Sequence, residues 1–341
     1  MLSFLSDYTE GAHPKVLERL AELNMVSLPG YGDDPCTDAA KAKICAACGR
    51  DDLQIQFLVG GTQTNQVAID SMLQSYEGVI SADTGHINVH EAGAIEYSGH
   101  RVLSIPHVQG KIMAADLEKY MEAFVNDEVR EHLVQPGLVY ISHPTEFGTL
   151  YTRAELSALS DCCHKYGLSL YMDGARLGYG LMSPETDVTL ADVVELTDLF
   201  YIGGTKVGAL CGEALVFTKH NMSKHFLTSV KQHGALLAKM RVVSQQFDAL
   251  FTDGLYFEIS RHAIDLAMKI KHACLDKGYE LLMDSPTNQQ FPILSREQME
   301  KLREKVQFNL WQWMEDGRVA IRLATSWATK EEDVEELISL L

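Results

Sequence analysis

The sequence predicts an α/β fold with a large domain and a smaller one. Short apolar runs that are typical of buried strands alternate along the chain with amphipathic helical segments. The chain has 341 residues, which is long for one compact core, and 46% of them are hydrophobic. Several of the apolar runs end in polar or glycine residues, at the positions where α/β folds place their functional groups.

The composition argues against nucleic acid and anionic membranes as partners, because the formal charge is -18 and the pI is about 5.1. No apolar run approaches the roughly 20 residues that span a bilayer. The first ten residues lack the basic region and cleavage site of a secretory signal. Seven cysteines are an odd number, which favours free thiols over a disulfide framework. We therefore expect a cytoplasmic protein that binds a small molecule.

Two residue pairs have spacings seen in metal sites. Cys45 and Cys48 form a C-x-x-C pair, but they lie in a helical pattern and no second pair follows. His86 and His90 are four residues apart and lack a third ligand nearby. We therefore expect no metal, and we interpret an imidazole after a strand as a group that stacks on an aromatic ring or moves protons.

The N-terminal third begins with an irregular arm, residues 1–14, that carries Ser6. A helix opening at Pro14, a Gly, Asp and Pro-rich turn containing Tyr31, and a second helix follow. The predicted strand 53–59 then runs directly into Gly60-Gly61-Thr62 and a helix. Free amides and the positive end of that helix suit a phosphate, although a plain strand-to-helix turn is the alternative. The pattern matches neither nucleotide motif, so nucleoside triphosphates and dinucleotides are not favoured.

In the middle of the chain, the candidate functional residues lie at the ends of predicted strands. Predicted strands at 79–82, 102–105 and 137–142 precede a helix at 153–166, and Glu146 lies in the loop after the third strand. The strand 168–172 delivers Asp173, with Arg176 three residues later. A buried aspartate is costly unless its carboxylate meets a cation, and a protonated pyridine nitrogen is such a cation.

Lys206 follows the predicted strand 199–202 and the pair Gly203-Gly204. A desolvated lysine beside glycines can attack a carbonyl, whereas a surface lysine in a glycine-rich loop is the alternative. The interval between Asp173 and Lys206 has room for one helix and one strand, which would place both residues on nearby strands of one sheet. An amine, a carboxylate and a phosphate pocket together predict pyridoxal 5'-phosphate.

The last part of the chain continues with a strand at 213–217 and a long helical region at 232–251. Beyond it, a helix to residue 277, strands at 279–282, 291–294 and 319–323, and a helix from residue 297 predict a smaller α/β domain. We divide the chain into an arm (1–14), a cofactor-binding domain (15–245) and a small domain (246–341). Gln289 and its neighbours precede a strand and receive no role from the pattern.

Six short segments, in this order and spacing, resemble the low-specificity L-threonine aldolases of the β-eliminating-lyase group within the fold-type-I pyridoxal-phosphate enzymes. They are residues 31–35, residues 61–65, His86 with residues 91–93, residues 173–176, residues 205–206, and Arg322. The resemblance extends from Ser6 to Trp327. It implies a mostly parallel central sheet with one antiparallel strand, flanked by helices, in a homodimer or homotetramer whose sites lie at subunit borders.

The resemblance also implies residue roles. Lys206 matches the Schiff-base lysine, Asp173 the partner of the pyridine nitrogen, and His86 the histidine that stacks on the ring. Other cofactor contacts implied by the match are Gly60, Gly61, Thr62, Arg176 and Thr205. The substrate contacts implied are Ser6 and Arg322, which grip the carboxylate, and Tyr31, which serves the site of the same or a neighbouring subunit.

One position departs from the family pattern. Many threonine aldolases have a second histidine where this chain has Glu146, and His143 cannot be assumed to replace it. The base that takes the β-hydroxyl proton is therefore left open between His86, Glu146 and water. The resemblance implies retro-aldol cleavage of threonine or allo-threonine to glycine and an aldehyde. A related β-eliminating lyase, an aminotransferase or a protein without turnover is the alternative, and the preferred isomer and direction are open.

Overall fold

The computed structural model describes residues 1–341, and its largest feature is a seven-stranded sheet. The strands of the protein in chain order are β1 (Leu2–Ser3), β2 (Gln54–Leu58), β3 (Glu77–Ala82), β4 (Arg101–Ile105), β5 (Gln135–Ser142), β6 (Ser169–Asp173), β7 (Leu199–Gly203), β8 (Glu213–Phe217), β9 (Glu280–Leu281), β10 (Gln289–Gln290), β11 (Pro292–Leu294), β12 (Val306–Gln307), β13 (Asn309–Trp313) and β14 (Val319–Ala324). The central sheet has the order β2-β8-β7-β6-β5-β3-β4, and β8 runs antiparallel to both neighbours. The predicted mostly parallel sheet with one antiparallel strand is confirmed.

Helices cover both faces of this sheet. In chain order they are α1 (Pro14–Glu22), α2 (Pro35–Ala47), α3 (Gly61–Met72), α4 (His86–Val89), α5 (Ala94–Tyr97), α6 (Ala114–Val125), α7 (Arg153–Lys165), α8 (Leu177–Leu181), α9 (Leu190–Leu196), α10 (Phe226–Gln232), α11 (Arg241–Leu250), α12 (Leu255–Asp276), α13 (Arg296–Arg303) and α14 (Glu331–Leu340). In β7, Phe200 and Ile202 enter one apolar core, while Leu199 and Tyr201 enter the core on the opposite face. Burial on both faces explains why this strand is an unbroken apolar run.

The topology brings several chain segments to one edge of the sheet. Ser142 at the end of β5 lies opposite Asp173 at the end of β6, and β6 pairs in parallel with β7. Because β2 is antiparallel to β8, and β8 is antiparallel to β7, β2 points the same way as β7. Its end, the start of β8 and the turn after β7 therefore share this edge, where Leu58 and Gly203 both lie opposite Glu213.

A second sheet forms near the C-terminus, with the order β10-β14-β11-β9 and with β13 paired to β14. The arm joins this region, because β1 pairs with β12 and the Ala324 amide donates to the Phe4 carbonyl. Helix α12 connects the two regions, since Ile264 belongs to the core of the central sheet and Ile270 to the core beside the second sheet.

Two of the differences from the sequence prediction have a clear physical reason. The helical region predicted at 232–251 is helical only from residue 241, in α11, because α10 ends at Gln232 and Gly234, with a φ of 65°, turns the chain after it. Strand β13 was not predicted, since it is largely exposed and its apolar and polar residues do not form the continuous apolar run of a buried strand. No helix has the length and apolar character needed to cross a bilayer.

Candidate active site

Two adjoining cavities open at the shared edge of the central sheet. The first has a volume of about 260 Å³ and is lined by most of the predicted site residues, namely Gly60, Gly61, Thr62, His86, Glu146, Asp173, Arg176, Thr205 and Lys206. The second has a volume of about 520 Å³ and reaches Arg322, Gln289 and Trp311. His86, Glu146, Arg176 and Lys206 line both cavities, so the two form one continuous site.

Asp173 is buried at the end of β6 and is held by several donors. The Tyr140 hydroxyl donates to its Oδ2 at 2.6 Å, the Asn65 side-chain amide donates to the same oxygen at 3.0 Å, and the Ala175 amide donates to Oδ1 at 2.9 Å. Burial opposes ionisation, but His86 and these hydrogen bonds outweigh it and lower the pKa of Asp173. The group is therefore a charged, oriented carboxylate that faces the cavity.

Lys206 lies in the turn after β7, and that turn requires glycine. A Cβ at Gly203 would lie 2.3 Å from the Ala175 carbonyl oxygen, and one at Gly204 would lie 2.7 Å from the Gly212 carbonyl oxygen. Burial and the nearby Arg176 lower the pKa of Lys206, although Asp7 and other carboxylates oppose the shift. A lowered pKa makes the neutral, nucleophilic amine more accessible.

The first turn of α3 forms an amide-lined cup. Gly60 caps the helix without a side-chain hydrogen bond, so the leading amides have no partner within the helix. A Cβ at Gly61 would lie 3.1 Å from the Tyr201 hydroxyl, which closes one side of the cup. Positive helix-end charge and free amides suit a phosphate group.

His86 belongs to a hydrogen-bonded chain that ends at Asp173. Its Nδ1 lies 2.7 Å from Oε1 of buried Glu91, and the Asn65 amide donates to that oxygen at 2.8 Å as well as to Asp173. Burial lowers the pKa of His86, but the Glu91 hydrogen bond and the Asp173 charge outweigh it and the net shift is upward. The imidazole is thereby fixed in orientation beside the cavity.

Glu146 projects between the two cavities. Its Oε1 accepts from the His86 amide at 2.9 Å and from the Ser142 hydroxyl at 2.7 Å, and burial raises its pKa. His143, in contrast, is fully buried against Tyr151 and lines neither cavity, and burial lowers its pKa to about 4.

The two site arginines have different partners. Arg176 pairs with Asp7 through two hydrogen bonds, at 2.6 and 3.0 Å. Arg322 donates only to neutral oxygens, the Gln289 side-chain oxygen at 3.1 Å and the Leu5 carbonyl at 3.3 Å. Its positive charge is therefore not neutralised by a carboxylate.

Two of the predicted substrate contacts line neither cavity. Ser6 is buried on the arm, and its hydroxyl has no hydrogen-bond partner. Tyr31 is half exposed with a φ of 62°, and the Lys231 ammonium lies 4.9 Å from its ring centre. The structure thus brings the predicted cofactor residues together but leaves Tyr31 outside this chain's cavities.

Sequence reasoning missed several residues of the site. Glu213 accepts from the Gly204 amide at 3.0 Å and from the Thr205 hydroxyl at 2.8 Å, and burial raises its pKa to about 7. Tyr201 and Tyr8 also line the first cavity. The available signal for Glu213 was a lone acidic residue opening an otherwise apolar strand.

These groups fit pyridoxal 5'-phosphate, because the cup suits its phosphate, Asp173 suits its ring nitrogen and Lys206 suits its aldehyde. The fold agrees. A Thermus thermophilus aspartate aminotransferase mutant has a TM-score of 0.71 at 14% identity, and the alignment covers 99% of this chain and 95% of that one. Fold and site together define a pyridoxal-phosphate enzyme of fold type I.

The family model described as "Beta-eliminating lyase" matches residues 3–326, and the chain belongs to that family. A low-specificity L-threonine aldolase from Pseudomonas sp. (strain NCIMB 10558) is 31% identical over 98% of this chain and 95% of its own length. The Pseudomonas aeruginosa protein of the same name is 30% identical with the same coverage. A solved Leishmania major threonine aldolase is 40% identical, with a TM-score of 0.96 over 100% of this chain and 98% of that chain.

Proposed function

We propose that this chain is a pyridoxal-phosphate-dependent aldehyde-lyase that cleaves L-threonine and L-allo-threonine to glycine and acetaldehyde. The observation that carries the proposal is the convergence of Lys206, Asp173 and the first turn of α3 on one cavity. The full-length similarity to low-specificity L-threonine aldolases supports this activity over the other reactions of the fold.

The residues that would hold the cofactor each have a defined task. The α3 amides and Thr62 would bind the phosphate, Asp173 would keep a proton on the ring nitrogen, and Lys206 would provide the amine for the aldehyde. When bound, the cofactor supplies a sink for the electron pair released at Cα. Asp173 can keep its charge in this role because its donors already offset the cost of burial.

Arg322 is the residue best suited to bind the substrate carboxylate. It is a cation in the second cavity with no carboxylate partner, whereas Arg176 is occupied by Asp7. The buried Ser6 hydroxyl has no partner and lies one residue from Leu5, whose carbonyl accepts from Arg322. A fixed carboxylate sets the direction of the Cα–Cβ bond, which must be aligned before it breaks.

We assign the β-hydroxyl proton to Glu146. Its raised pKa lies closer to neutrality than that of an ordinary carboxyl, which favours general-base catalysis. Both of its hydrogen bonds use Oε1, so neither uses Oε2. The raised pKa of His86, in contrast, favours the protonated imidazole, which cannot take up a further proton. The proton moves to Glu146, the Cα–Cβ bond breaks, the hydroxyl carbon becomes the aldehyde, and one proton is returned to Cα.

The direct test is an assay of the purified holoenzyme with L-threonine and L-allo-threonine. We expect acetaldehyde and glycine in equal amounts from at least one isomer. Release of ammonia without glycine would indicate β-elimination, and dependence on an added keto acid would indicate an aminotransferase. The free state of all seven cysteines supports our proposal that the enzyme acts in the reducing cytoplasm on a small amino acid. We also propose that it is a homodimer or homotetramer.

A further inference from the structure

Gln289 lies at the second cavity in a segment that is unusually polar for its burial. Residues 287–290 are Thr-Asn-Gln-Gln, and all four are fully buried. Buried amides are costly unless their hydrogen bonds are satisfied. Three side-chain atoms of this segment have no partner, and the Nε2 of Gln289 is the only donor among them, since Asn288 Oδ1 and Gln290 Oε1 are acceptors.

The other end of the Gln289 amide is bonded to Arg322. Its Oε1 accepts from Nη1 of Arg322 at 3.1 Å, and both residues line the second cavity. The short β10–β14 pairing sets this contact, because Gln289 lies opposite Ala324, two residues from Arg322. Arg322 is therefore held in place by an uncharged side chain.

The choice of an amide has an electrostatic consequence. A carboxylate at this position would pair with Arg322 and neutralise it, as Asp7 does for Arg176. The amide oxygen orients the guanidinium and leaves its full positive charge facing the cavity. A cation at the cavity that no carboxylate neutralises matches an incoming carboxylate.

We propose that Gln289 is a positioning residue for the substrate carboxylate. Its Oε1 orients Arg322 without neutralising it, and the Arg322 guanidinium binds the α-carboxylate of the amino-acid substrate. The inference rests on the proposed function only in requiring an α-amino acid as the ligand.

The test compares Gln289→Glu and Gln289→Met with the control Gln290→Met. Gln290 is equally buried in the same strand, but its Nε2 donates to the backbone carbonyls of Ser285 and Thr287, and it lines neither cavity. The measurements are calorimetric dissociation constants of the holoenzyme for glycine and for glycinamide, which lacks the carboxylate. They are accompanied by kcat and KM for L-threonine.

We expect Gln289→Glu to weaken glycine binding by about tenfold or more, the effect of a lost charge-assisted hydrogen bond. Gln289→Met should weaken it less, because the contact that orients Arg322 is lost but the charge of Arg322 is not neutralised. Glycinamide affinity should stay within about twofold in both variants, and KM should rise more than kcat falls. The control should leave all these values unchanged.

Equal glycine affinity in wild type and Gln289→Met would overturn the proposal, and so would equal losses for glycine and glycinamide, which indicate a merely structural role. If Gln289→Glu does not fold, Gln289→Met carries the test. Glycine binding does not require threonine cleavage. If the wild-type protein does not cleave threonine but Gln289→Met selectively weakens glycine binding, the proposed function is refuted and this inference is retained.

Discussion

At the scale of single residues, the buried carboxyl of Glu146 has the clearest chemical consequence. A carboxyl must be ionised to act as a base, and burial raises the pKa of Glu146. Activity should therefore increase as the pH rises through that raised pKa. The Ser142 hydroxyl, which donates to the carboxylate at 2.7 Å, limits the increase in pKa.

We expect Glu146→Gln to lower kcat by about a hundredfold or more, the usual contribution of a general base. The variant should also lose the acidic limb of the profile of kcat/KM against pH. Ser142→Ala is the matched control, because it removes a donor to the ionised form and should move that limb to higher pH without abolishing activity. An unchanged acidic limb in Glu146→Gln would assign the proton to His86 or to water instead.

The sequence was sufficient to predict site residues whose role follows from a local sequence pattern. Asp173, Lys206 and the Gly60 turn each follow a recognisable strand, so their shared edge could be inferred from the sequence alone. Glu213 could not be inferred in this way. It opens a strand, and its place at the site depends on β8 running antiparallel between β2 and β7. Only the strand order reveals that relation.

At the scale of elements, the arm is attached to the site through Asp7. This buried carboxylate pairs with Arg176 and also accepts from the Asn288 amide at 2.9 Å. Burial alone would raise the pKa of Asp7, but Arg176 and Lys206 outweigh it and lower the value to about 2. A folded-state pKa below the ordinary 3.8 stabilises the protein above pH 4, and this contribution is lost as the pH falls towards 2.

We expect Asp7→Asn to lower the free energy of unfolding at pH 7 by about 2 to 4 kcal/mol, because Arg176 loses its buried partner. The difference from wild type should shrink as the pH falls from 5 to 2.5, because Asp7 takes up its proton near pH 3.8 in the unfolded chain but only near pH 2 in the folded protein. Urea unfolding across this range measures it. Asp316→Asn, which alters an exposed pair with Arg318, is the control and should have no measurable effect. A constant difference at every pH would contradict the linkage.

Element boundaries were predicted less well than element types. The break between α10 and α11 depends on Gly234, and β13 is a mostly exposed edge strand that pairs only with β14. Hydrophobic periodicity carries little information about either. The division at residues 14 and 245 stays a prediction, and α12 shows why a boundary is difficult to draw, since it packs into cores on both sides.

At the scale of the whole molecule, the position of Tyr31 bears on whether the active site is shared between neighbouring subunits. It lines neither cavity of its own chain, and its ring is half exposed. If Tyr31 serves the site of a neighbouring subunit, then an inactive Lys206→Ala chain can supply an intact Tyr31 to an impaired Tyr31→Ala chain. Mixing the two after unfolding and refolding should restore roughly a quarter of the wild-type sites in a two-fold symmetric dimer.

The readout is acetaldehyde release by the mixture compared with each variant refolded alone. Activity above the sum of the two variants supports a shared site. Activity equal to that sum, in a sample shown by native mass spectrometry to contain mixed oligomers, would place Tyr31 in a role confined to its own chain.

The central claim is that Lys206, Asp173 and the α3 cup hold one pyridoxal phosphate. Borohydride reduction of the holoenzyme, followed by digestion and mass spectrometry, tests it most directly, because reduction makes the bond between the lysine and the cofactor permanent. We predict a single phosphopyridoxyl label on the peptide that contains Lys206, and no label in Lys206→Ala. A label on another lysine, or no label on wild-type protein loaded with the cofactor, would contradict the account.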